Sequence, residues 1–285
     1  NKNNLFISNI HYSNILTIIF LRNLNNLKIF LFERTSLKEL DIYFSIFSFI
    51  KNKFIKILIK NFYKYSDCIY SNSLTSKKEF DKIGLKSKVI YSGLITKKLP
   101  KKKFKNKKFY KLISVGRLTR QKNYELLINS ISQVKFKNYK LYIYGEGEEK
   151  EKIKKIILNH KLEKKIHLVP YVKNKNKIYK NADLLIHTAL FEGLPNCLVD
   201  SINYGVPVIA YNGAGGISEI LGKGKYGELI YNQDPYEISL RIDDFFNNPK
   251  KLQKKILKSK FMIYKFTNYN TAISLEKEIL NIFSN

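Results

Sequence analysis

Two stretches decide the fold of this chain: ISVGRLTRQKN, residues 113–123, and HTALFEGLPNCLVDSINYGVPVIAYNGAGGISEIL, residues 187–221. Each places an apolar run, typical of a buried strand, directly before glycines and the predicted start of a helix. Backbone N–H groups at such a junction point outwards and favour a bound anion. The two stretches therefore predict parallel α/β units with binding sites at the ends of their strands.

Charged side chains set the two stretches apart. The first carries the cations Arg117 and Lys122, and the second carries the carboxylates Glu192 and Asp200. Two fixed cations can offset the negative charge of a diphosphate, while carboxylates accept hydrogen bonds from hydroxyl groups. Together these residues predict a site for a nucleotide sugar.

Short apolar runs alternate with amphipathic stretches through most of the chain, which indicates an α/β fold with parallel strands. In the first part, strands are predicted at residues 5–8, 27–32, 68–71 and 88–91. Helices are predicted at residues 14–24, 37–49, 51–64 and 75–83. This part has fewer strands than the roughly six of a doubly wound domain.

The second part follows a proline-containing basic run at residues 96–108, which has no apolar periodicity and is interpreted as an interdomain linker. Strands are predicted at residues 110–115, 140–144, 166–169, 184–187, 206–210 and 228–230. Helices are predicted to begin near residues 123, 148, 175, 196 and 216, and others to cover residues 235–246, 249–259 and 270–283. This pattern makes a complete Rossmann-like domain.

The composition is that of a globular protein with excess positive charge. The 285 residues include 52 Lys and Arg against 23 Asp and Glu, a net charge of +29. Because only five of the basic residues are arginine and the lysines are scattered, we favour a solvated lysine coat over an anionic-membrane face, and either over a nucleic-acid surface. Cys68 and Cys197 are too few for a disulfide framework and fit a reducing cytoplasm.

The predicted helix at residues 51–64 leaves two interpretations open. Lysines punctuate its apolar residues, which are Phe54, Ile55, Ile57, Leu58 and Phe62. A basic amphipathic helix can lie on an anionic membrane. We favour instead a surface helix whose apolar stripe packs on the sheet.

GRLTRQKN, residues 116–123, resembles the start of the C-terminal domain in family-four retaining glycosyltransferases of GT-B fold. FEGLPNCLVD, residues 191–200, resembles the E-x7-E motif of that family, with Asp200 where the family usually has Glu. The resemblance covers roughly residues 108–230. It implies two Rossmann-like domains whose parallel sheets face each other across a cleft, with the first domain incomplete.

The resemblance also implies roles for the motif residues. Arg117 and Lys122 would bind the donor diphosphate and stabilise charge on the leaving phosphate. Glu192 would contact hydroxyls of the transferred sugar, and Asp200 would hold the ribose. Further donor-binding residues implied by the resemblance are Gly116, Gly193, Leu194, Pro195 and Asn196, with Tyr171 against the base.

The first part of the chain resembles the family more faintly. Residues 4–16 resemble its fourth-strand region, where a histidine lies near the reacting centre, so His11 joins Arg117, Lys122 and Glu192 as a candidate catalytic residue. FLFERTS, with Glu33 and Arg34, resembles the next strand end, which faces the acceptor. Residues 1–10 already resemble a later strand, so we expect an N-terminally truncated, split or degenerate chain.

The expected domains are an acceptor-side part at residues 1–95, a nucleotide-sugar-binding domain at residues 109–268, and a helix at residues 269–285 that crosses back. The hypothesis is a retaining glycosyltransferase that moves a hexose or N-acetylhexosamine from a UDP-sugar to a glycan or lipid-linked acceptor hydroxyl. Since no D-x-D triplet is present, we expect no metal and no other cofactor. We also expect no nucleic-acid partner and a cytoplasmic protein, and we leave open a peripheral position at the inner face of an anionic membrane.

Three alternatives stay open at this point. The first is an inactive nucleotide-sugar-binding remnant, and the second is a GT-B-like sugar-nucleotide epimerase. An epimerase needs acid and base residues in the cleft, for which the histidines, at positions 11, 160, 167 and 187, are poorly placed in the sequence. The third is a basic nucleic-acid-binding protein, which would bind in a strongly salt-dependent manner.

Overall fold

The computed structural model of the protein describes residues 4–100 and 107–284. The first of its two main sheets contains β1 (Asn4–Asn9), β2 (Leu27–Glu33), β3 (Cys68–Ser71) and β4 (Lys88–Val89), in that order. The second contains β5 (Tyr110–Val115), β6 (Tyr139–Tyr144), β7 (Ile166–Val169), β8 (Leu184–His187), β10 (Val208–Tyr211) and β12 (Glu228–Ile230). A short pair joins β9 (Phe191–Glu192) to β11 (Ala214–Gly215).

The second sheet has the spatial order β12-β10-β8-β5-β6-β7, and all of its strand pairs are parallel. Numbered by chain order within the sheet, this is the doubly wound order 3-2-1-4-5-6. The strand order reverses between β5 and β8, which is where such sheets bind ligands. The predicted α/β fold with two parallel Rossmann-like units is confirmed.

Helices cover both faces of the sheets. In the first unit they are α1 (His11–Leu21), α2 (Ile46–Phe62) and α3 (Leu74–Lys82). In the second unit they are α4 (Tyr124–Gln133), α5 (Lys150–Asn159), α6 (Lys175–Tyr179), α7 (Asn196–Tyr204), α8 (Ile217–Ile220), α9 (Pro235–Asn247) and α10 (Pro249–Lys258). The helix α11 (Asn268–Phe283) follows a 3-10 segment at Ser259–Phe266.

Side-chain alternation on the strands builds separate cores on the two faces of the second sheet. On β8, Leu184 and Ile186 enter one core while Leu185 enters the other. This period of two is what a strand buried on both faces requires. On the first sheet, Phe30 points towards α11, opposite to the core formed with α1, α2 and α3.

The predicted helix at residues 37–49 is wrong. A 3-10 helix covers Leu37–Asp41, and α2 begins at Ile46. Ser45 caps α2 by accepting a hydrogen bond from Ser48 N, and Ser48 Oγ accepts one from Ser45 N. This capping box fixes the start of α2 and separates it from the 3-10 helix. The sequence pattern does not reveal the box, because its N3 residue is Ser48 rather than the usual Glu or Gln.

The segment between the two sheets is only partly described, because residues 101–106 of the predicted linker lie outside the described residues. Before it, Ile95 N donates to Phe266 O at 3.0 Å, and Ile95 lies in a core of the second sheet. After α10, the chain returns to the first sheet, where Leu275 and Ile279 of α11 pack against its core. Within residues 4–100 and 107–284, no helix is both long and apolar enough to cross a bilayer.

Candidate active site

The loops that follow β5 and β8 meet at the point where the strand order of the second sheet reverses. They face the strand ends of the first sheet across a cleft of about 990 Å³. The second unit lines this cleft with Val115, Gly116, Arg117, Lys122, Tyr179, Glu192, Leu194, Pro195, Asn196, Cys197 and Asp200. The first unit contributes Arg34, Asn72, Ser92 and Leu94. Eight of the predicted donor-site residues therefore lie on one surface.

Hydrogen bonds hold the two motif loops together. Gln121 Nε2 donates to Phe191 O at 2.8 Å, and Leu190 N donates to Gln121 O at 2.9 Å. Thr188 Oγ1 lies 3.0 Å from the carbonyl oxygens of both Lys122 and Asn123. The Arg117–Lys122 loop is therefore positioned by the loop that carries Glu192, about seventy residues later in the chain.

Two glycines allow close approaches at the site, one by a side chain and one by the backbone. A Cβ on Gly116 would lie 2.9 Å from Lys122 Cε, so glycine lets the lysine side chain fold over the strand end. A Cβ on Gly193 would lie 1.7 Å from Arg34 O, so only glycine allows the Glu192 loop to touch the backbone of the first unit. Gly193 thus acts as a backbone contact between the two halves of the cleft.

Lys122 and Glu192 form an ion pair on the cleft floor, with side chains only 13% and 12% exposed. His187 lies behind it, with Nε2 3.4 Å from Glu192 Oε1 and Nδ1 3.6 Å from Cys197 Sγ. Burial would raise the pKa of Glu192, but contacts with His187 and Lys122 lower it to about 2. The carboxylate is therefore fully ionised at neutral pH and serves as a hydrogen-bond acceptor.

His187 is a site residue that the sequence interpretation missed. Burial would lower its pKa, but contacts with Cys197 and Glu192 raise it to about 9. Its place at the end of β8, one strand before Glu192, was the available signal, because carboxyl ends of parallel strands share one edge. The buried ring acts on Glu192 from behind, and it does not line the cleft.

Helices α6 and α7 form the end of the cleft that is predicted to hold the nucleoside, called here the nucleoside end. Asp200 accepts a hydrogen bond from Lys175 Nζ at 2.7 Å. Burial raises the pKa of Asp200 more than Lys175 lowers it. Val115, Tyr179 and Asp200 also line an adjoining pocket of about 450 Å³, at whose rim the exposed Tyr171 lies. The pocket extends the cleft on the side of Asp200 and is large enough for a flat ring.

His11 is not among the residues that line the cleft. It is the first residue of α1 and is buried. Burial lowers its pKa, and Lys51 lowers it further. Ile10 before it has a φ of 73°, a strained value for a β-branched residue. A catalytic role for His11 stays a prediction.

The first unit adds residues that sequence reasoning did not single out. Asn72 follows β3, donates from Nδ2 to Arg34 O at 2.7 Å, and its Oδ1 has no hydrogen-bond partner among the described residues. Asn72 and Arg34 also line a second cavity of about 500 Å³ at the carboxyl ends of the first sheet. There Glu33 accepts hydrogen bonds from Tyr63 and Asn14, and burial raises its pKa to about 7.

Glu219 joins the two units beside the cleft. Its carboxylate accepts hydrogen bonds from Leu74 N, at 2.8 Å, and from the Tyr91 hydroxyl. Leu74 is the first residue of α3, so the negative charge also meets the positive end of that helix. These contacts give Glu219 a structural role at the junction of the two units.

The sequence of residues 95–260, more than half of the chain, matches the family described as glycosyl transferases group 1. An uncharacterized glycosyltransferase of Methanocaldococcus jannaschii is 31% identical over 185 residues, which cover 60% of this chain and 46% of that protein. The Campylobacter jejuni N-acetylgalactosamine-N,N'-diacetylbacillosaminyl-diphospho-undecaprenol 4-alpha-N-acetylgalactosaminyltransferase is 28% identical over 194 residues, or 64% of this chain and 52% of that protein. The chain thus spans about half the length of these curated relatives.

The fold also matches that of solved structures. The crystal structure of Anabaena HepE with UDP and glucose superposes with a TM-score of 0.81 at 16% identity, covering 98% of this chain and 78% of that chain. The family match falls on the unit that carries both motif loops. This chain belongs to the glycosyl transferases group 1 family.

Proposed function

We propose that this chain is a retaining glycosyltransferase that takes a hexose or N-acetylhexosamine from a UDP-sugar and attaches it to a hydroxyl of a glycan or lipid-linked acceptor. One observation carries the proposal: Arg117, Lys122, Glu192 and Asp200 line a single cleft where the strand order reverses. In the proposed roles, the two cations bind the diphosphate, Glu192 binds the sugar and Asp200 binds the ribose. Neither a metal nor another cofactor is part of the proposal.

The buried ion pair gives a route for donor binding. The donor diphosphate would take Lys122 as a partner, together with the exposed Arg117 at the cleft wall. Glu192 would then accept hydrogen bonds from sugar hydroxyls in place of the ammonium group. Because His187 also holds the pKa of Glu192 low, the carboxylate would stay ionised after Lys122 turns to the phosphate.

The proposed transfer needs no residue that bonds to the sugar. The bond between the sugar C1 and the phosphate oxygen breaks, and C1 bonds to the acceptor oxygen on the same face. The leaving phosphate takes the proton of the acceptor hydroxyl, and its developing charge is offset by Arg117 and Lys122. Fixed cations in a partly dry cleft are effective because they need no reorganisation during the reaction.

The acceptor would approach from the first unit. The cavity beside Arg34 and Asn72 opens into the donor cleft, since both residues line both spaces. Asn72 Oδ1, buried and without a partner among the described residues, can accept a hydrogen bond from an acceptor hydroxyl. Arg34 can bind an acidic group of the acceptor.

The comparisons support this choice of substrates. HepE was crystallised with UDP and glucose, and the name of the C. jejuni relative specifies N-acetylgalactosaminyl transfer to a diphospho-undecaprenol-linked sugar. By analogy we propose a UDP-sugar and a lipid-linked glycan for this chain, and a place at the cytoplasmic face of the membrane.

The test is a calorimetric titration of the 285-residue chain with UDP, with GDP as the competing nucleotide. UDP should bind more tightly than GDP, and Arg117→Ala should weaken UDP binding about tenfold or more through loss of a charge-assisted contact. Arg241→Ala is the matched control, since Arg241 lies on α9 and does not line the cleft. An equal loss of UDP affinity in Arg117→Ala and Arg241→Ala would indicate that UDP does not bind in the cleft beside Arg117.

A second measurement separates an enzyme from an inactive remnant. UDP-sugar hydrolysis and transfer to lipid-linked saccharides are followed with the same samples. Binding with no turnover for any donor and acceptor pair would favour the remnant. Epimerase activity would appear as conversion of the UDP-sugar without an acceptor. Tight, salt-sensitive RNA or DNA binding that ignores Arg117→Ala would favour the nucleic-acid alternative.

A further inference from the structure

Helix α2 carries two apolar stripes on opposite sides. Ile55 and Ile59 are buried in the core of the first sheet, with Leu58 and Phe62 partly buried beside them. A second set of apolar side chains is 56% to 76% exposed: Ile46, Phe47, Ile50, Phe54 and Ile57. With 3.6 residues per turn, these five fall within an arc of about 100° facing away from the sheet. We call them the outer stripe.

The outer stripe corrects the interpretation of this helix as one whose single apolar face packs on the sheet. Phe54 and Ile57, assigned to that face, point to solvent. A helix that is apolar on two sides is normally buried on both of them. Contiguous exposed apolar side chains of this kind mark a binding surface rather than the scattered exposure usual for a soluble domain.

The charged residues of helix α2 itself are all of one sign. The helix contains Lys51, Lys53, Lys56 and Lys60 and no acidic residue. At 100° per residue, Lys51 lies on one flank of the stripe, and Lys53 and Lys60 lie on the other. A second copy of a chain with net charge +29 would be repelled here, whereas an anionic surface would be attracted.

A groove beside the stripe has the same character. It measures about 870 Å³, and its walls include Ile57 of the outer stripe with Leu37 and Ile83. The charged residues that line it are Lys38, Lys56, Lys60 and Lys82 with Asp41 and Glu79. Lys56 forms an ion pair with Asp41, and the carboxylate of Glu79 accepts a hydrogen bond from the Ser36 hydroxyl. The groove is therefore apolar within and positive at its rim.

The N-terminal end of α2 lies near the turn that carries Lys122. Phe44, two residues before α2, lies with its ring centroid 4.3 Å from the Arg120 guanidinium carbon. Arg120 belongs to the same 3-10 turn as Lys122. A flat surface that covers the stripe would therefore pass close to the donor site.

We propose that the outer stripe of α2 lies on a bilayer that contains anionic phospholipids. Its apolar side chains enter the boundary between headgroups and acyl chains, and the flanking lysines face lipid phosphates. This inference deepens the proposed function and rests on it for the reason why a membrane should be close: a lipid-linked acceptor would reach the cleft from the surface on which α2 lies.

The test is co-sedimentation of the full chain with vesicles of phosphatidylglycerol and phosphatidylcholine, compared with pure phosphatidylcholine. We expect binding to the anionic vesicles that weakens with salt. The double variant Phe47→Ser/Ile50→Ser should lose at least about tenfold in partition coefficient, since each side chain inserts several methylene groups. Leu158→Ser is the matched control, because Leu158 on α5 is 60% exposed and Ile50 on α2 is 61% exposed.

UDP titration of the same variants separates the two proposals. Unchanged UDP affinity with lost vesicle binding would support the inference, and the positions are exposed enough that folding should persist. Vesicle binding equal in the stripe variant and in Leu158→Ser would overturn it, even if UDP still binds. The inference would also be overturned if the wild-type protein formed a dimer without vesicles and the double variant did not, because the outer stripe would then pack against a second copy of the chain. Loss of UDP binding in every sample would instead count against the proposed function.

Discussion

The two ends of the donor cleft each hold a carboxylate in contact with a lysine, yet the two carboxylates titrate in opposite directions. At the end predicted to hold the sugar, the pKa of Glu192 is lowered to about 2 by His187 and by Lys122, although burial opposes this. At the nucleoside end, burial raises the pKa of Asp200 despite its contact with Lys175. Lys122 is 13% exposed and Lys175 is 45% exposed. Two enclosed partners offset the cost of burying a charge, and one solvated partner does not.

The largest expected effect is on folding stability, at Glu192. Glu192→Gln should destabilise the protein by about 3 kcal/mol at pH 7, from the 1.36 kcal/mol that each unit of pKa difference represents. A lowered pKa contributes stability above the unfolded value of 4.5, and this is lost as pH falls towards about 2. Urea unfolding of wild type and variant should therefore converge between these pH values.

Glu151→Gln is the control for that experiment, because Glu151 is an exposed carboxylate paired with Lys154. It should leave the urea midpoint unchanged at every pH. If Glu192→Gln lowered the free energy of unfolding by the same amount at pH 7 and at pH 3, the loss would come from altered packing and not from the lost charge.

The second effect is on nucleotide affinity. Lys122→Ala should weaken UDP binding about a hundredfold, because a charge-assisted contact to the diphosphate is lost and Glu192 then faces the phosphates alone. In the double variant Lys122→Ala/Glu192→Gln, part of the affinity should return. Calorimetry on the four proteins gives the coupling between the two residues. Additive losses would mean that the ion pair is not exchanged when the donor binds.

At the nucleoside end we expect a smaller effect on folding stability, opposite in sign to that of Glu192→Gln. Asp200→Asn should stabilise the protein by about 0.5–1 kcal/mol at pH 7, the usual size of a single stabilising substitution. Since the folded pKa of Asp200 is raised, its penalty is present above that pKa and is relieved as pH falls towards 3.8. The gain should therefore shrink in acid, measured by urea unfolding. A destabilised Asp200→Asn would show that Lys175 compensates for burial after all.

The second sheet was predictable from sequence because its strands are apolar on both faces. The runs at residues 110–115, 166–169, 184–187 and 228–230 coincide with β5, β7, β8 and β12. Glycines at the strand ends and the charged residues after them also marked the cleft. Gly116, Lys122, Glu192 and Asp200 line one space, as their spacing along the chain suggested.

The rest depended on contacts between residues far apart in the chain. The pairing of Lys175 with Asp200, and the place of His187 behind Glu192, follow from packing across the sheet edge and leave no local pattern. Asn72 is drawn into the cleft by its hydrogen bond to the Arg34 carbonyl. In α2, both stripes have helical spacing, so periodicity cannot tell which one the sheet covers.

The last expected effect, similar in size to that of Asp200→Asn, tests why the nucleoside end carries the shorter carboxylate. Asp200→Glu extends the side chain by one methylene group towards the pocket that adjoins the cleft. If Asp200 meets the ribose only loosely or through water, the longer side chain should tighten UDP binding about threefold to tenfold, because a direct hydrogen bond replaces a bridged one. The gain should be absent for 2'-deoxy-UDP if the contacted group is the 2'-hydroxyl. An equal gain for both nucleotides would point to the 3'-hydroxyl or to a rearranged Lys175, and weaker binding of both would mean that the contact with Asp200 is already direct.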